Sequence, residues 1–380
     1  MSDVFITKTA AFLPNSVVTN DEIEDYLGLI NGRKSKSKNI VLRSNRIKER
    51  YYAIDKNGKS THNNAELTSN AIRNLFIDEP EKMKDVELLC CGTSSPDQIM
   101  PSHGVMVHGF LPEMGIAEVL SPAGNCCTGM HGLKYAYMSL KLGEKNKAVC
   151  TGSERVSRQK RCGSYEEELD HLESLENKPS LAFEKDFLRW MLSDGAGSFL
   201  LETRPATEGH SLKVEWVDSI SYANQEKTCM YQGASIREDG NLNGYSDLTP
   251  KEWLEDSVFS MKQDAKLLDN KIVELFCQWI PELIEKHKLS SDDVTYFLPH
   301  MSSFYFEEKI HKQFADAGLP FAKEKWFTNL STKGNVGAGS IYLMVDELLK
   351  SDKLNKGDKI ILMVPESARF SYVISLLTVV

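Results

Sequence analysis

Apolar and polar positions alternate along the chain at two scales. Short continuous apolar runs, in VELLCCGTSS from Val86, KAVCTG from Lys147 and KIILMV from Lys359, read as strands buried on both faces. AEVLS at 117–121 and VTYFLPHMSS from Val294 read the same way. Between them lie stretches with helical spacing, at 66–77, 129–142, 251–286 (more than one helix), 303–317 and 338–350. Strands alternating with helices predict an α/β fold with a mostly parallel sheet covered on both faces. Two stretches break the rhythm. Residues 155–190 are charge-rich, and residues 226–250 are polar and turn-rich. Such insertions form lids, rims or interfaces, or solvated excursions without a role.

The pattern repeats. VELLCCGTSS matches VTYFLPHMSS, and the stretch from Gly124 (GNCCTGMHGLKYAYMSLKLGEKNKAVCTGSERVS) matches that from Gly334 (GNVGAGSIYLMVDELLKSDKLNKGDKIILMVPESARFS). The shifts are 208 and 210 residues. Each longer segment reads as a Gly-rich turn, an amphipathic helix, a Lys/Asn/Gly turn, an apolar strand and an S/E/R loop. A nearly constant shift predicts a duplicated domain, divided here into 1–205 and 206–380.

Composition narrows the class. The 380 residues carry 45 Lys plus Arg against 54 Asp plus Glu, a net charge of −9. That argues against a general nucleic-acid binder. The eight cysteines (90, 91, 126, 127, 150, 162, 229 and 277) show no C-x-x-C spacing, and most sit in apolar contexts as small hydrophobes. The opening MSDVFITKTAAFLP lacks an export signal, and no apolar run is long enough to span a membrane. The expected compartment is the cytoplasm, where disulfides are rare.

Three places are candidates for chemistry. Gly124-Asn125-Cys126-Cys127-Thr128-Gly129 lies between a strand and a helix. A thiol at a helix N-terminus gains from the dipole and free N–H groups, which favour thiolate and can hold an oxyanion. A cysteine beside glycine is also an ordinary packing residue. Asn335, at the equivalent turn of the second half, is a neutral hydrogen-bond donor or a helix cap. His300 follows an apolar strand, where ligand sites of parallel sheets form. His103, His108 and His131 read as packing or surface partners, and no His spacing suggests a metal. A duplicated fold would bring Cys127, His300 and Asn335 to one cleft.

These residues resemble the β-ketoacyl-acyl carrier protein synthase III group of the thiolase superfamily, nearly end to end. AAFLPNSVVTNDEIEDYL looks like its opening strand, turn and helix, and SNRIKERYYA like its T-G-I-x-x-R segment. SPDQIMPSHGVMVHGFL resembles the start of the helix before the nucleophile, and NCCTGM the A-C-x-G-F motif, which selects Cys127 over Cys126. LSDGAGSFLLE, LPHMSS and KGNVGAGSI resemble the G-D-G-A-G, P-H-Q-A-N and Y-G-N-T-S-A-A-S motifs.

The resemblance implies a five-layered αβαβα fold, a homodimer, and a catalytic set of Cys127, His300 and Asn335. Cys127 would attack an acyl thioester. His300 and Asn335 would hold the carbonyl of a second thioester and its enolate, and a Claisen condensation would join the two. Acyl-carrier-protein or coenzyme A thioesters would be the substrates and partners, with no metal or other cofactor. The Cys127 N–H would supply one oxyanion donor and a C-terminal loop, at Ser367 and Ala368, the other.

That loop departs from the family's Gly-rich form, reading Pro365-Glu366-Ser367-Ala368-Arg369-Phe370, and Met301 stands where Gln is usual. Together with the segment from Asn31 to Tyr52, the loop resembles ketosynthases of bacterial dialkylresorcinol pathways, which join two fatty-derived chains. Fatty-acid initiation, acyl transfer to an alcohol or amine, and a non-catalytic carrier-binding subunit are the other readings. Residues 33–59 hold ten basic residues against Glu49 and Asp55. Within this stretch Arg33, Lys34, Lys36, Lys38, Arg43 and Arg46 are candidates to hold an acidic carrier or coenzyme A phosphates; a solvated loop is the plainer reading.

Overall fold

The computed structural model describes residues 2–35, 37–164, 187–237 and 239–380. The apolar runs become strands of one nine-stranded sheet. In chain order these are β1 (Phe5–Phe12), β2 (Leu88–Thr93), β3 (Glu118–Leu120), β4 (Lys147–Glu154), β5 (Gly195–Glu202), β6 (Leu212–Ser221), β7 (Tyr296–Pro299), β8 (Lys359–Glu366) and β9 (Ser371–Val379). Their spatial order is β7-β8-β9-β6-β1-β5-β4-β2-β3. The join between β6 and β1 is short, pairing Phe5 with Lys213 and Ile6 with Leu212.

On either side of that join the same arrangement appears. β1, β5, β4, β2 and β3 follow one another outward, as do β6, β9, β8, β7 and an isolated parallel bridge from Phe297 to Trp326. The expected boundary at 205–206 falls in the connection from β5 to β6. β2, β3 and β4 pair in parallel, as β7 and β8 do. β5 and β9 run antiparallel to both their neighbours, so the sheet is more mixed than the strand–helix rhythm predicts. For β9 the cause is plain: only residues 367–370 separate it from β8, which allows a hairpin and excludes a crossover.

Six helices cover the sheet: α1 (Asn64–Leu75), α2 (His103–Gly109), α3 (Thr128–Leu142), α4 (Ala265–His287), α5 (Glu307–Asp316) and α6 (Ser340–Leu349). The stretch 251–286 divides because Lys262–Gln263 pairs as a short strand with Met230–Tyr231, separating Pro250–Glu255 from α4. α1 starts at a capping box between Asn63 and Glu66. Alternating strand residues face opposite layers. Leu89, Cys91 and Val149 pack outward with α1 and α2, whereas Leu88, Cys90, Ala148 and Cys150 pack inward with α3 and α6. On the other half, Ile361, Met363 and Ile374 face α4 and α5, and Leu362 and Val364 face α3 and α6. The order is therefore helices, half-sheet, α3 and α6, half-sheet, helices.

The middle layer is tight. A Cβ on Gly152 would lie 2.1 Å from the Ala338 carbonyl oxygen, and one on Gly129 would lie 2.8 Å from Tyr342. The turn that precedes α6 thus meets β4 and the first turn of α3 backbone to backbone. Tyr342 stacks on Phe199 at 4.1 Å and donates its hydroxyl to the Gly129 carbonyl at 2.7 Å. Thr9 donates to the buried Asp346 carboxylate at 2.8 Å. No helix among the described residues is long and apolar enough to cross a membrane.

Candidate active site

The turn from β3 to α3 begins at Gly124, whose φ of +143° suits glycine, and Cys127 is the N-cap of α3. On the opposite half, His300 directly follows β7 and donates its backbone N–H to the Met363 carbonyl at 2.8 Å. Asn335 is fixed on both sides of its peptide, its N–H donating to Met191 O at 3.0 Å and its carbonyl accepting from Ser193 N at 2.9 Å. Its Oδ1 accepts from Gly337 N at 2.9 Å, so the NH2 end is the donor left for the site.

A cavity with an empty volume of about 890 Å³, part of it open to solvent, brings these loops together. Its polar end is lined by Cys126, His300, Asn335, Glu154 and Ser94. The rest is apolar, with Leu268, Ile272, Val273 and Phe276 of α4, Ile310 and Phe314 of α5, and Met301 and Met363 around it. Met230, from the turn-rich stretch 226–250, also lines it, as do the buried Val156 and Leu188 near the ends of the charge-rich stretch 155–190. Most of that second stretch, residues 165–186, lies outside the described residues.

The sequence motif selects Cys127; Cys126, its neighbour in the same turn, is the cysteine among the residues lining the cavity. Cys127 is fully buried, its Sγ 3.3 Å from Val364 O and 3.7 Å from Ser371 O. Two neighbouring residues in a turn point in different directions, and C-x-G spacing alone does not say which. The thiolate expected from the helix dipole is also absent. Burial, and next the Glu366 carboxylate, push both thiols well above their ordinary range. A partial charge at a helix end is outweighed by desolvation and a full negative charge nearby. His300 is likewise buried, which pushes its imidazole down to about 4, and its Nδ1 has no hydrogen-bond partner among the described residues. The site thus holds a neutral thiol, a neutral imidazole and a neutral amide.

The expected oxyanion donors are placed otherwise. The Cys127 N–H donates to Glu366 Oε2 at 3.1 Å, and the Asn125 N–H to the same oxygen at 2.9 Å. Ser367 lines the cavity and accepts from Gln263 Nε2 at 3.0 Å. Ala368 is not on the cavity wall; its carbonyl accepts from the N–H groups of Cys229 and Met230.

The basic stretch lies apart from the cavity. Lys38 pairs with Glu24 at 2.9 Å and lies over Trp190, and Arg46 pairs with Glu307 and stacks on Phe304. Arg33, Lys34 and Arg43 are exposed, and Lys36 is outside the described residues. His103 is buried between Thr68 and Ser153, and His108 bonds the Gly115 carbonyl at 3.0 Å.

Glu154 escaped the sequence reading. It closes β4, lines the cavity, and accepts from Ser94 N and Oγ, Ser95 Oγ and Ala338 N. Burial raises its carboxyl despite these donors. The signal was present, because the S/E/R loops of the two repeats carry Glu154 and Glu366 at matching places.

Residues 284–367 match the family described as 3-oxoacyl-[acyl-carrier-protein] synthase III, C terminal. The chain is 26% identical over 377 residues to the β-ketoacyl-[acyl-carrier-protein] synthase III of Clostridium botulinum, covering 96% of this chain and 95% of that one. It is 22% identical over 360 residues to the enzyme of the same name from Chlorobaculum tepidum, covering 94% of each. Among solved structures, AbyA1, a tetronic acid condensing enzyme, superposes with a TM-score of 0.75 at 19% identity over 99% of both chains. Xanthomonas campestris OleA, solved with lauric acid and lauroyl-CoA, gives 0.74 at 18% identity over 99% of both. The chain shares the thiolase-like fold of these enzymes. Over nearly its whole length, the chain is similar to β-ketoacyl-[acyl-carrier-protein] synthase III enzymes.

Proposed function

We propose that this chain is an acyltransferase of the ketosynthase type, forming a C–C bond by Claisen condensation. The supporting observation is a single cavity that joins a cysteine, an imidazole and a carboxamide at one end to an apolar chamber at the other. A thiol suits the first step because it is both nucleophile and leaving group. It attacks an acyl thioester, the substrate's thiol departs, and the apolar chamber takes the acyl chain. His300 and Asn335, both neutral, donate to the carbonyl of the second thioester and stabilise the enolate left when a β-carboxyacyl thioester breaks its C–CO2 bond and releases carbon dioxide, a step that needs no base. The enolate carbon attacks the enzyme-bound acyl carbonyl, and expulsion of the cysteine thiolate leaves the joined ketone.

The proposed nucleophile is Cys127, which holds the motif position and caps α3; the attack requires its side chain to leave Val364 O. A second reading takes Cys126, the cysteine among the residues lining the cavity. Intact mass after exposure to an acyl thioester, with peptide mapping, separates them. Cys127→Ala should remove the adduct and Cys126→Ala retain it; the reverse assigns Cys126.

The volume of the cavity and its apolar lining support two fatty-derived partners, as in dialkylresorcinol-type ketosynthases, over a short initiation substrate. Product mass tests this: a chain-joined ketone supports it, and an ester or amide indicates transfer to an alcohol or amine. The exposed Arg33, Lys34 and Arg43 are proposed to meet an acidic carrier or coenzyme A phosphates. A homodimer is supported by β3, which ends the sheet near exposed Ile99, Met100, Val105, Ile116, Tyr135 and Met138.

A further inference from the structure

Asn335, among the residues lining the cavity, sits in a turn that the other half of the molecule holds in place. Its peptide is fixed by Met191 and Ser193, and its Oδ1 accepts from Gly337 N, so the aim of the NH2 group follows the Gly337 peptide. The next amide, Ala338 N, donates at 3.2 Å to Oε1 of Glu154, which closes β4 in the first half. Gly337 has a φ of +47°, and a Cβ there would stand 2.7 Å from Glu154 Oε1 and 3.0 Å from its carboxyl carbon. The carboxylate thus occupies the place a side chain at 337 would need. It is itself held: Ser94 N donates to Oε1 at 3.1 Å, and Ser94 Oγ and Ser95 Oγ donate to Oε2 at 2.8 and 2.5 Å. Two donors on each oxygen fill the acceptor sites of a carboxylate, which leaves Glu154 unsuited to take a proton from a substrate although it lines the cavity.

We propose that Glu154 is a positioning residue that sets the aim of the Asn335 carboxamide. By holding Ala338 N it fixes the Gly337 peptide, whose N–H in turn fixes Oδ1 of Asn335. The half that carries the cysteines thereby sets the geometry of the enolate-binding half. The inference deepens the functional reading above and rests on it for its consequence, the condensation step. Acyl loading does not need the carboxamide, whereas holding the enolate does.

Measuring the two half-reactions separately tests this. Glu154→Asp keeps the charge and withdraws the acceptor by one C–C bond, about 1.5 Å. Loading from an acyl thioester, read by intact mass, should stay within about threefold of wild type. Condensation of the loaded protein with malonyl-coenzyme A should fall about a hundredfold, the scale set by a displacement near 1 Å. Glu154→Gln keeps an acceptor for Ala338 N, and the serine hydroxyls can turn to accept from its NH2 group, so condensation should recover to within about tenfold of wild type. Adding Glu154→Asp to Asn335→Ala should cost less than about a further threefold, because the group being aimed is gone. A merely structural role would slow loading and condensation alike and would lower the double variant by the full factor. Either of those results, normal condensation in Glu154→Asp, or no recovery in Glu154→Gln overturns the proposal. If Glu154→Asp does not fold, Ser95→Ala takes its place, since it frees Oε2 of a donor: condensation should slow at least about fivefold more than loading, and equal slowing overturns the proposal. Should the wild type take up no acyl group, the functional reading falls and amide exchange decides this one. Ala338 should then exchange at least about tenfold faster in Glu154→Asp, while Gly339, which donates to Val336 O, keeps its rate; equal Ala338 rates overturn the inference.

Discussion

His103 shows how a side chain with no part in the reaction shapes the protein's response to acid. It is 4% exposed and sits between Thr68 and Ser153, and burial pushes its imidazole down from 6.5 to about 4. Above pH 6.5 neither the folded nor the unfolded chain protonates it. Between pH 6.5 and 4 the unfolded chain binds a proton that the folded chain refuses, so stability falls with pH, by about 3 kcal/mol from this residue. The raised carboxyls of Glu154, Glu366 and Asp194 act in the opposite sense, so a comparison isolates the imidazole. His103→Gln should flatten the fall in unfolding free energy across that window; parallel curves for the two proteins would refute the assignment. His300, shifted in the same direction, stays neutral at the pH where the reaction would run. His300→Ala should therefore still load an acyl group and fail to condense it, and normal condensation would remove it from the proposed mechanism.

Among the elements, the close approach of β4 to the turn before α6 is the most constrained feature. Gly152→Ala would place a methyl group 2.1 Å from a backbone carbonyl, which no side-chain rotation relieves. Destabilisation of about 3 kcal/mol, measured by chemical unfolding, is expected for such overpacking. α4 carries a different consequence, because Ile272, Val273 and Phe276 turn one of its faces to the cavity. Ile272→Trp should shorten the acyl chain the protein accepts, read as a shift in adduct mass from a mixed acyl pool. An unchanged adduct distribution would mean that the chain lies elsewhere.

For the molecule as a whole, the duplicated pattern made the halves legible: apolar runs at a nearly constant shift became strands in matching order. His300 and Asn335 were legible for the same reason, since strand ends and Gly-rich turns mark where such a sheet opens. That Cys126 rather than Cys127 is among the cavity's lining residues was not legible, because C-x-G spacing does not set the direction of side chains in a turn. Nor could antiparallel β5 and β9 be read from apolar runs, which carry no strand direction. The charge states were likewise hidden: helix-end position suggested a thiolate, while burial and Glu366 decide for the thiol.

The most direct test is the mass of the intact protein after exposure to an acyl thioester, followed by addition of a second thioester. The account expects one acyl adduct on the cysteine pair, lost on the second addition as a carbon-joined product appears. An adduct that never forms, or one that forms on a residue outside this cavity, would contradict it.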